Sequence, residues 1–464
     1  MKQRDIYVLE ISPNNRILGK EDKKGAPSGH CPSVAFVGGL RGGSEGAVGK
    51  EILLRLAEHL LDPEYPEMKA KVLILPDVNP DAVYETRSKV ENNCDGESDP
   101  KEGSNHNGVD LDSDFSDNSD CQPETKVLMK WMENIQPSVT VILRSGSPHV
   151  TLPPYKKQPY EDTKKKPRKY HDLALKHVAD LYVKEHKTMR QEYSSCGNLS
   201  DKAVFENGIV MGKNWKPHDG SFLDFCYFKT STLPIEVFMD CCSYPEQSRL
   251  SEIWEENKSS MMAMISDSWK GLHGFIVDEL SHPITGAIIA MNGSSQITKA
   301  IWKDGEFWRP MPPGTYVLTA SAPNFMPTTK IVQVADTSVP QSEKVQVVIT
   351  LVRDQRVFGL PRMIFIMLTG FVFMFIIAVL LAAYTTCKKR RRLGKYNFYP
   401  LPEKHTLFEE DDGESEIFRR PLKEDMETAR RPFHDDDEDE SSTDDDEDVD
   451  ILMHASREWS KVQQ

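Results

Sequence analysis

The chain has 464 residues, 38% hydrophobic and 28% charged, with a formal net charge of −15. That length holds two globular domains with accessories, and the acidity excludes nucleic acid as a partner because no broad basic face is suggested. The charge is uneven: from Thr385 to the end 14 Lys/Arg stand against 23 Asp/Glu, placing −9 of the −15 there.

Met1-Lys2-Gln3-Arg4-Asp5 runs straight into the apolar stretch IYVLEIS with no secretory leader, which reads as a segment of a longer, multi-domain chain. Ser33 to Gly38 predicts a buried strand. Val48, Ile52, Leu53, Leu56 and Leu60 recur at helical spacing and predict a helix over 47–61. Strands follow at 71–75 and 139–143, an amphipathic helix at 171–186 and a strand at 234–239. Such alternation implies an α/β domain on a mostly parallel or mixed sheet, assigned to residues 1–270. Lys164-Lys165-Lys166-Pro167-Arg168-Lys169 reads as a solvated loop within it. From 271 to 353 strand-length runs alternate with Gly, Pro and Asn turns, as in a small β-sandwich, and 354–362 is a linker.

Met363 to Tyr384 carries no charge over 22 positions, about 33 Å as a helix against a bilayer core of about 30 Å. Lys388-Lys389-Arg390-Arg391-Arg392 follows, against Arg362 alone before it, so the C-terminal side reads as cytoplasmic in a single-pass type I arrangement. The membrane is therefore an expected partner. Three glycosylation sequons, at Asn198, Asn257 and Asn292, precede the span. So do Cys31, Cys94, Cys121, Cys196, Cys226, Cys241 and Cys242, an odd set whose connectivity spacing leaves open and whose unpaired member would find a partner upstream. Cys387, at the inner membrane edge, is a candidate for palmitoylation or an unmodified thiol. In the tail, 385–464, 12 of the 16 residues from Asp435 to Asp450 are acidic, and too little apolar area remains to fold. Ser441, Ser442 and Thr443 lie between acidic blocks as phosphorylation candidates.

The segment Asn105 to Phe115, NHNGVDLDSDF, resembles NxNGVDLNRNF of the zinc metallocarboxypeptidases of the regulatory (N/E) branch. The resemblance spans about residues 6 to 361 and includes Asn79-Pro80-Asp81, Gln122-Pro123-Glu124-Thr125, Gly208 to Trp215 and Asp224-Phe225-Cys226-Tyr227. It implies a mixed-sheet metallocarboxypeptidase-like domain, then a transthyretin-like β-sandwich, one transmembrane helix and a disordered acidic tail. Family members carry about 40 further residues ahead of the first strand. In them a His and a Glu of an HxxE motif and a distant His hold zinc, a separate Glu accepts a proton, and an Asn-Arg pair clamps the substrate carboxylate.

Here those positions are replaced. The His and Glu positions read Arg41 and Ser44 (Glu45 falls near the latter when counted from the helix), the distant His Arg144, the base Phe238, the clamp Asp112 and Ser113, and the second substrate arginine falls near Gly103. Tyr227 occupies the place of the substrate-contacting tyrosine, or is a packed core aromatic. Among the 13 histidines there is no HxxE or HExxH; His59 with Asp62 and His177 with Asp180 read as helix-surface pairs, and His149 is the histidine near the old site. No catalytic residue and no cofactor are therefore expected in this chain, although active members use zinc. Two permanent cations, Arg41 and Arg144, oblige acids such as Glu45 or Glu236 to neutralise them.

The implied function is a catalytically silent, membrane-tethered ectodomain that binds or scaffolds a lumenal or extracellular protein or peptide of unknown identity. The alternative is the C-terminal part of a larger zinc enzyme removing C-terminal Arg or Lys from peptides in protein processing. The acidic tail resembles sorting signals of trans-Golgi proteins that cycle to the plasma membrane and engage cytosolic adaptors; a merely solubilising tail is the other reading.

Overall fold

In the computed structural model the described residues are 4–13, 31–41, 43–62, 68–82, 103–116, 120–156, 172–190, 206–242, 244–292, 294, 296–300, 304–334, 345–354, 356–357 and 360–393. Within the first domain they form seven strands: β1 (Leu9–Ile11), β2 (Ser33–Val37), β3 (Lys71–Leu75), β4 (Val139–Arg144), β5 (His149–Leu152), β6 (Ile209–Met211) and β7 (Leu233–Phe238). Their order is β1-β3-β2-β4-β7-β5-β6; β3, β2, β4 and β7 run parallel, whereas β1 and β5 pair antiparallel with β3 and β7.

β4 and β7 are buried along their whole length because helices cover both faces of the sheet. One layer is α1 (Gly43–Leu61), with two more helices further along, α3 (Leu173–Glu185) and α5 (Gln247–Asp267). They close a core around Phe36, Ile74, Val141 and Ile235. The other face is covered by α2 (Pro123–Ile135) and α4 (Phe222–Lys229), packed on Val37, Leu75 and Ile142. α2 opens with Pro123 in its first turn, where a missing N–H costs nothing, and α3 opens on Asp172, whose carboxylate accepts from Leu175 N.

Residues beyond 271 form two four-stranded sheets. One holds β9 (Ile288–Met291), β10 (Thr298–Lys299), β12 (Gly314–Ser321) and β14 (Thr328–Val334); the other holds β8 (Leu272–Asp278), β11 (Glu306–Arg309), β13 (Phe325–Met326) and β15 (Val345–Arg353). A polar lock joins this domain to the first. The fully buried Arg309 donates through Nη1 to Ser231 O (2.9 Å) and through Nη2 to Gln296 Oε1 (3.0 Å). Gln296 Nε2 in turn faces the carbonyls of Tyr227, Thr230 and Thr232 at 3.0, 3.1 and 2.6 Å.

α6 (Arg362–Leu393) contains the apolar stretch and is, among the described residues, the one helix long and apolar enough to cross a membrane. It outruns the expected 363–384 because Lys and Arg sustain a helix and suit its C-terminal dipole end. Cys387 lies exposed on it.

Two expectations are corrected here. Cys241 and Cys242 each belong to a disulfide, whereas Cys31 and Cys226 do not, so more than one of the seven cysteines before the span is unpaired. Asn257 cannot carry a glycan in this fold: it is 0% exposed inside α5, its Nδ2 donates to Ile253 O at 2.9 Å and its Oδ1 accepts from Tyr182 OH at 2.8 Å. Ser259→Ala deletes that sequon through an exposed residue, and the variant is expected to match the unmodified chain in electrophoretic mobility before and after glycosidase treatment. Asn292 is exposed, with Oδ1 accepting from Val317 N at 2.6 Å. Asn198, Cys94, Cys196, the basic loop 164–169 and the tail beyond Leu393, including Ser441, Ser442 and Thr443, lie outside the described residues.

Candidate functional site

The carboxyl ends of parallel strands are where an open α/β sheet presents its binding crevice. Here β2 leads to Arg41, β4 ends at Arg144 and β7 ends at Phe238, with Arg144 opposite Phe238 in register. Arg144 is buried. Its Nη1 donates to Glu236 Oε1 at 2.8 Å and to Asp112 Oδ2 at 3.1 Å, and its guanidinium carbon stands 5.0 Å from the Phe238 ring centre. The cation expected at Arg144 is thus neutralised partly by Glu236, as anticipated, and partly by Asp112.

Asp112 is held by its local segment. Asn105 Oδ1 accepts from the backbone N–H groups of Asn107 and Val109 (both 3.0 Å), and Gly108 takes φ +75°, a conformation natural to glycine. Asp110 caps the 3₁₀ turn Leu111–Ser113 through Oδ1, which accepts from Asp112 N at 3.1 Å, and its Oδ2 accepts from Arg41 Nη2 at 2.8 Å. Asp112 Oδ1 then accepts from Phe222 N at 3.2 Å. Ser113 is exposed beside this cluster and Gly103 opens the turn before it.

Sequence reasoning missed Tyr155 and His218. Tyr155 donates its hydroxyl to Glu236 Oε2, and its backbone is fixed by Asp224, whose Oδ1 accepts from Tyr155 N at 2.8 Å. Gly212 lies flat against the ring, where a Cβ would come within 2.5 Å. His218 packs at a tilt against Tyr155 with centroids 4.3 Å apart, and its Nε2 is 3.6 Å from Asp112 Oδ2. Both come from loops that tertiary packing brings across the strand ends, so no spacing motif marks them.

Burial alone would push the Asp112 carboxyl up, but the nearby His218 imidazole and the Arg144 and Arg41 charges hold it below the usual range. Burial likewise opposes charging of His218, and the Asp112 carboxylate outweighs it, leaving the imidazole more basic than usual. Glu236 is pushed up by burial, against the pull of Arg144. Arg144 and His218 therefore share the enclosure with the carboxyl groups of Asp112 and Glu236.

The Tyr227 ring packs on Phe228 at 5.0 Å, and its carbonyl belongs to the interdomain lock. His149 is stacked on Phe238 (4.5 Å) and edged by Trp215 (4.2 Å), with Nε2 3.0 Å from Thr151 Oγ1. His177 pairs with Asp267 (2.8 Å) rather than Asp180, and His59 packs edge-on to Trp254. The side chains of Ser44 and Glu45 lie outside the described residues.

These groups do not fit zinc. Arg144 is a permanent cation fixed between two carboxylates, and no group of three His, Cys, Asp or Glu among the described residues could hold a metal.

Burial lowers the pKa of His149 to about 3 and that of His186 to about 4, from 6.5. His186 Nδ1 accepts from Met189 N at 3.1 Å, which requires the neutral ring. The unfolded chain binds these protons first, so folding stability is intact above pH ~6.5 and falls as pH drops toward 4 and 3. His186 alone accounts for roughly 3 kcal/mol of that loss. Urea unfolding across this range is expected to show the decline, and His186→Asn to flatten it.

Comparison with known proteins identifies the family. Residues 1–260 match the zinc carboxypeptidase family model, and residues 271–351 match the carboxypeptidase regulatory-like domain. Carboxypeptidase D of Homo sapiens is 30% identical over 416 residues, 88% of this chain and 28% of that protein. The carboxypeptidase N catalytic chain of Mus musculus is 28% identical, covering 72% of this chain and 76% of its own. Bovine thrombin-activatable fibrinolysis inhibitor in complex with tick carboxypeptidase inhibitor superposes with a TM-score of 0.37 at 15% identity, covering 56% and 84% of the two chains. This chain thus spans little more than a quarter of the length of carboxypeptidase D, 28%. By the match over its first 260 residues the chain belongs to the zinc carboxypeptidase family, with a regulatory-like domain following.

Proposed function

We propose that this chain is a membrane-tethered, carboxypeptidase D-like protein of the secretory pathway whose peptidase-like domain binds or scaffolds and does not hydrolyse. The carrying observation is Arg144, whose Nη1 is bonded to both Asp112 and Glu236 where a metal ligand and its metal would stand. A peptide carboxylate finds no waiting guanidinium there, since Arg41 is engaged by Asp110 and Arg144 by the two buried acids. In this reading the regulatory-like domain is transthyretin-like, α6 spans the bilayer with its basic end in the cytosol, and the acidic tail meets sorting adaptors during trans-Golgi cycling.

The second reading is that the chain is the C-terminal part of a larger zinc metallocarboxypeptidase trimming C-terminal Arg or Lys, favoured by its 28% span of carboxypeptidase D. Metal analysis of the purified full chain, with assay on a peptide ending in arginine, tests the first. We expect no stoichiometric zinc, no release of arginine and no micromolar binding of the free carboxylate. Stoichiometric zinc with turnover refutes catalytic silence; turnover only in a longer chain supports the second reading.

A further inference from the structure

The regulatory-like domain presents rigidly held apolar side chains at one pole. β8 and β15 run parallel with Asp278 opposite Leu351, so both strands end at that pole. β13 pairs antiparallel with the end of β15, Met326 opposite Val352 and Phe325 opposite Arg353. Leu280, Met326 and Val352 are 75%, 39% and 42% exposed. A lone exposed leucine is ordinary; this one is built. Asp278 Oδ1 accepts from the N–H groups of Leu280 and His282, both at 2.8 Å, and Ser281 takes φ +65°. The tight turn keeps Leu280 outward instead of letting it fold onto the domain.

The same pole is where the chain leaves for α6. Residues 354–361 separate β15 from the helix, and within them Arg356-Val357 pairs antiparallel with Leu360-Pro361. That hairpin brings Arg356 to about 5 Å from Pro361, so the end of β15 lies within about 20 Å of the helix start by chain length alone. Arg353, Arg356 and Arg362 are exposed along this path, but Glu279 and Asp354 share the pole. The contact must therefore be apolar rather than electrostatic.

We infer that this pole rests on the bilayer crossed by α6, with Leu280 seated in the lipid interface. The inference relies on the membrane-spanning reading above. The test is nitroxide accessibility in the full chain, reconstituted in phosphatidylcholine nanodiscs with Cys31 and Cys387 replaced by serine. Labels are placed one at a time at Leu280→Cys, at Ile376→Cys within α6 and at Val127→Cys on the exposed face of α2. The label at 376 should be open to oxygen and shielded from a nickel chelate, and the one at 127 the reverse. The label at 280 is expected to lie toward the 376 behaviour, with severalfold lower nickel accessibility than at 127. If 376 is shielded from nickel and 280 is as open as 127, the resting pole is refuted while the span stands. Shielding of 280 from both reagents means protein covers it, which also refutes the inference. Nickel access at 376 refutes the span and the inference with it.

Discussion

Arg144→Ala is expected to cost the peptidase-like domain roughly 3–5 kcal/mol of folding stability, because it strips the cation from two buried carboxylates. Asp112 Oδ2 and Glu236 Oε1 both accept from Arg144 Nη1, and both side chains are almost wholly enclosed. Denaturant unfolding of the full chain reads the loss. Pairing Arg144→Ala with Asp112→Asn and Glu236→Gln removes the orphaned charge and should recover a large part of it, since neutral partners carry a smaller desolvation penalty. Equal instability of the single and triple variants would mean that Arg144 acts through packing on Phe238. Arg144→His is not expected to create a zinc site, because Phe238, Asp112 and Arg41 remain.

Arg309→Ala should cost about 3–4 kcal/mol, combining the lost charge-assisted hydrogen bonds with a cavity in the interdomain contact. The guanidinium is 1% exposed and bridges Ser231 O to Gln296 Oε1, so its removal frees the amide that reaches three carbonyls of the first domain. Differential scanning calorimetry is expected to resolve two transitions where the unmodified chain shows one. Gln296→Ala should do the same more weakly, at about 2 kcal/mol, because no charge is lost.

Much of the first domain is legible in the sequence because both faces of its sheet are buried. Val139 to Leu143 then reads as a near-continuous apolar run rather than as alternation. Arg144, Phe238 and Asp112, singled out in the sequence, do sit together at the strand ends. What spacing could not reveal is which acid answers which cation. Glu236 was within reach because it shares a strand face with Phe238. Asp112, Tyr155 and His218 arrive from loops whose proximity is decided by Asn105, Gly212 and Asp224, residues that read only as framework. Asn257 failed for a similar reason. A sequon is a local pattern, but whether its asparagine faces water depends on α3, which lies about 75 residues away in the chain and supplies Tyr182.

The positive charge at the end of β4 has one more consequence. A metal ion is borrowed from solution, so a domain built around one waits for loading and can be emptied by chelators or by acid. Arg144 is part of the polypeptide, and its charge is present as soon as the chain is made. At this position the core therefore takes its positive charge from the chain itself and not from an ion in solution.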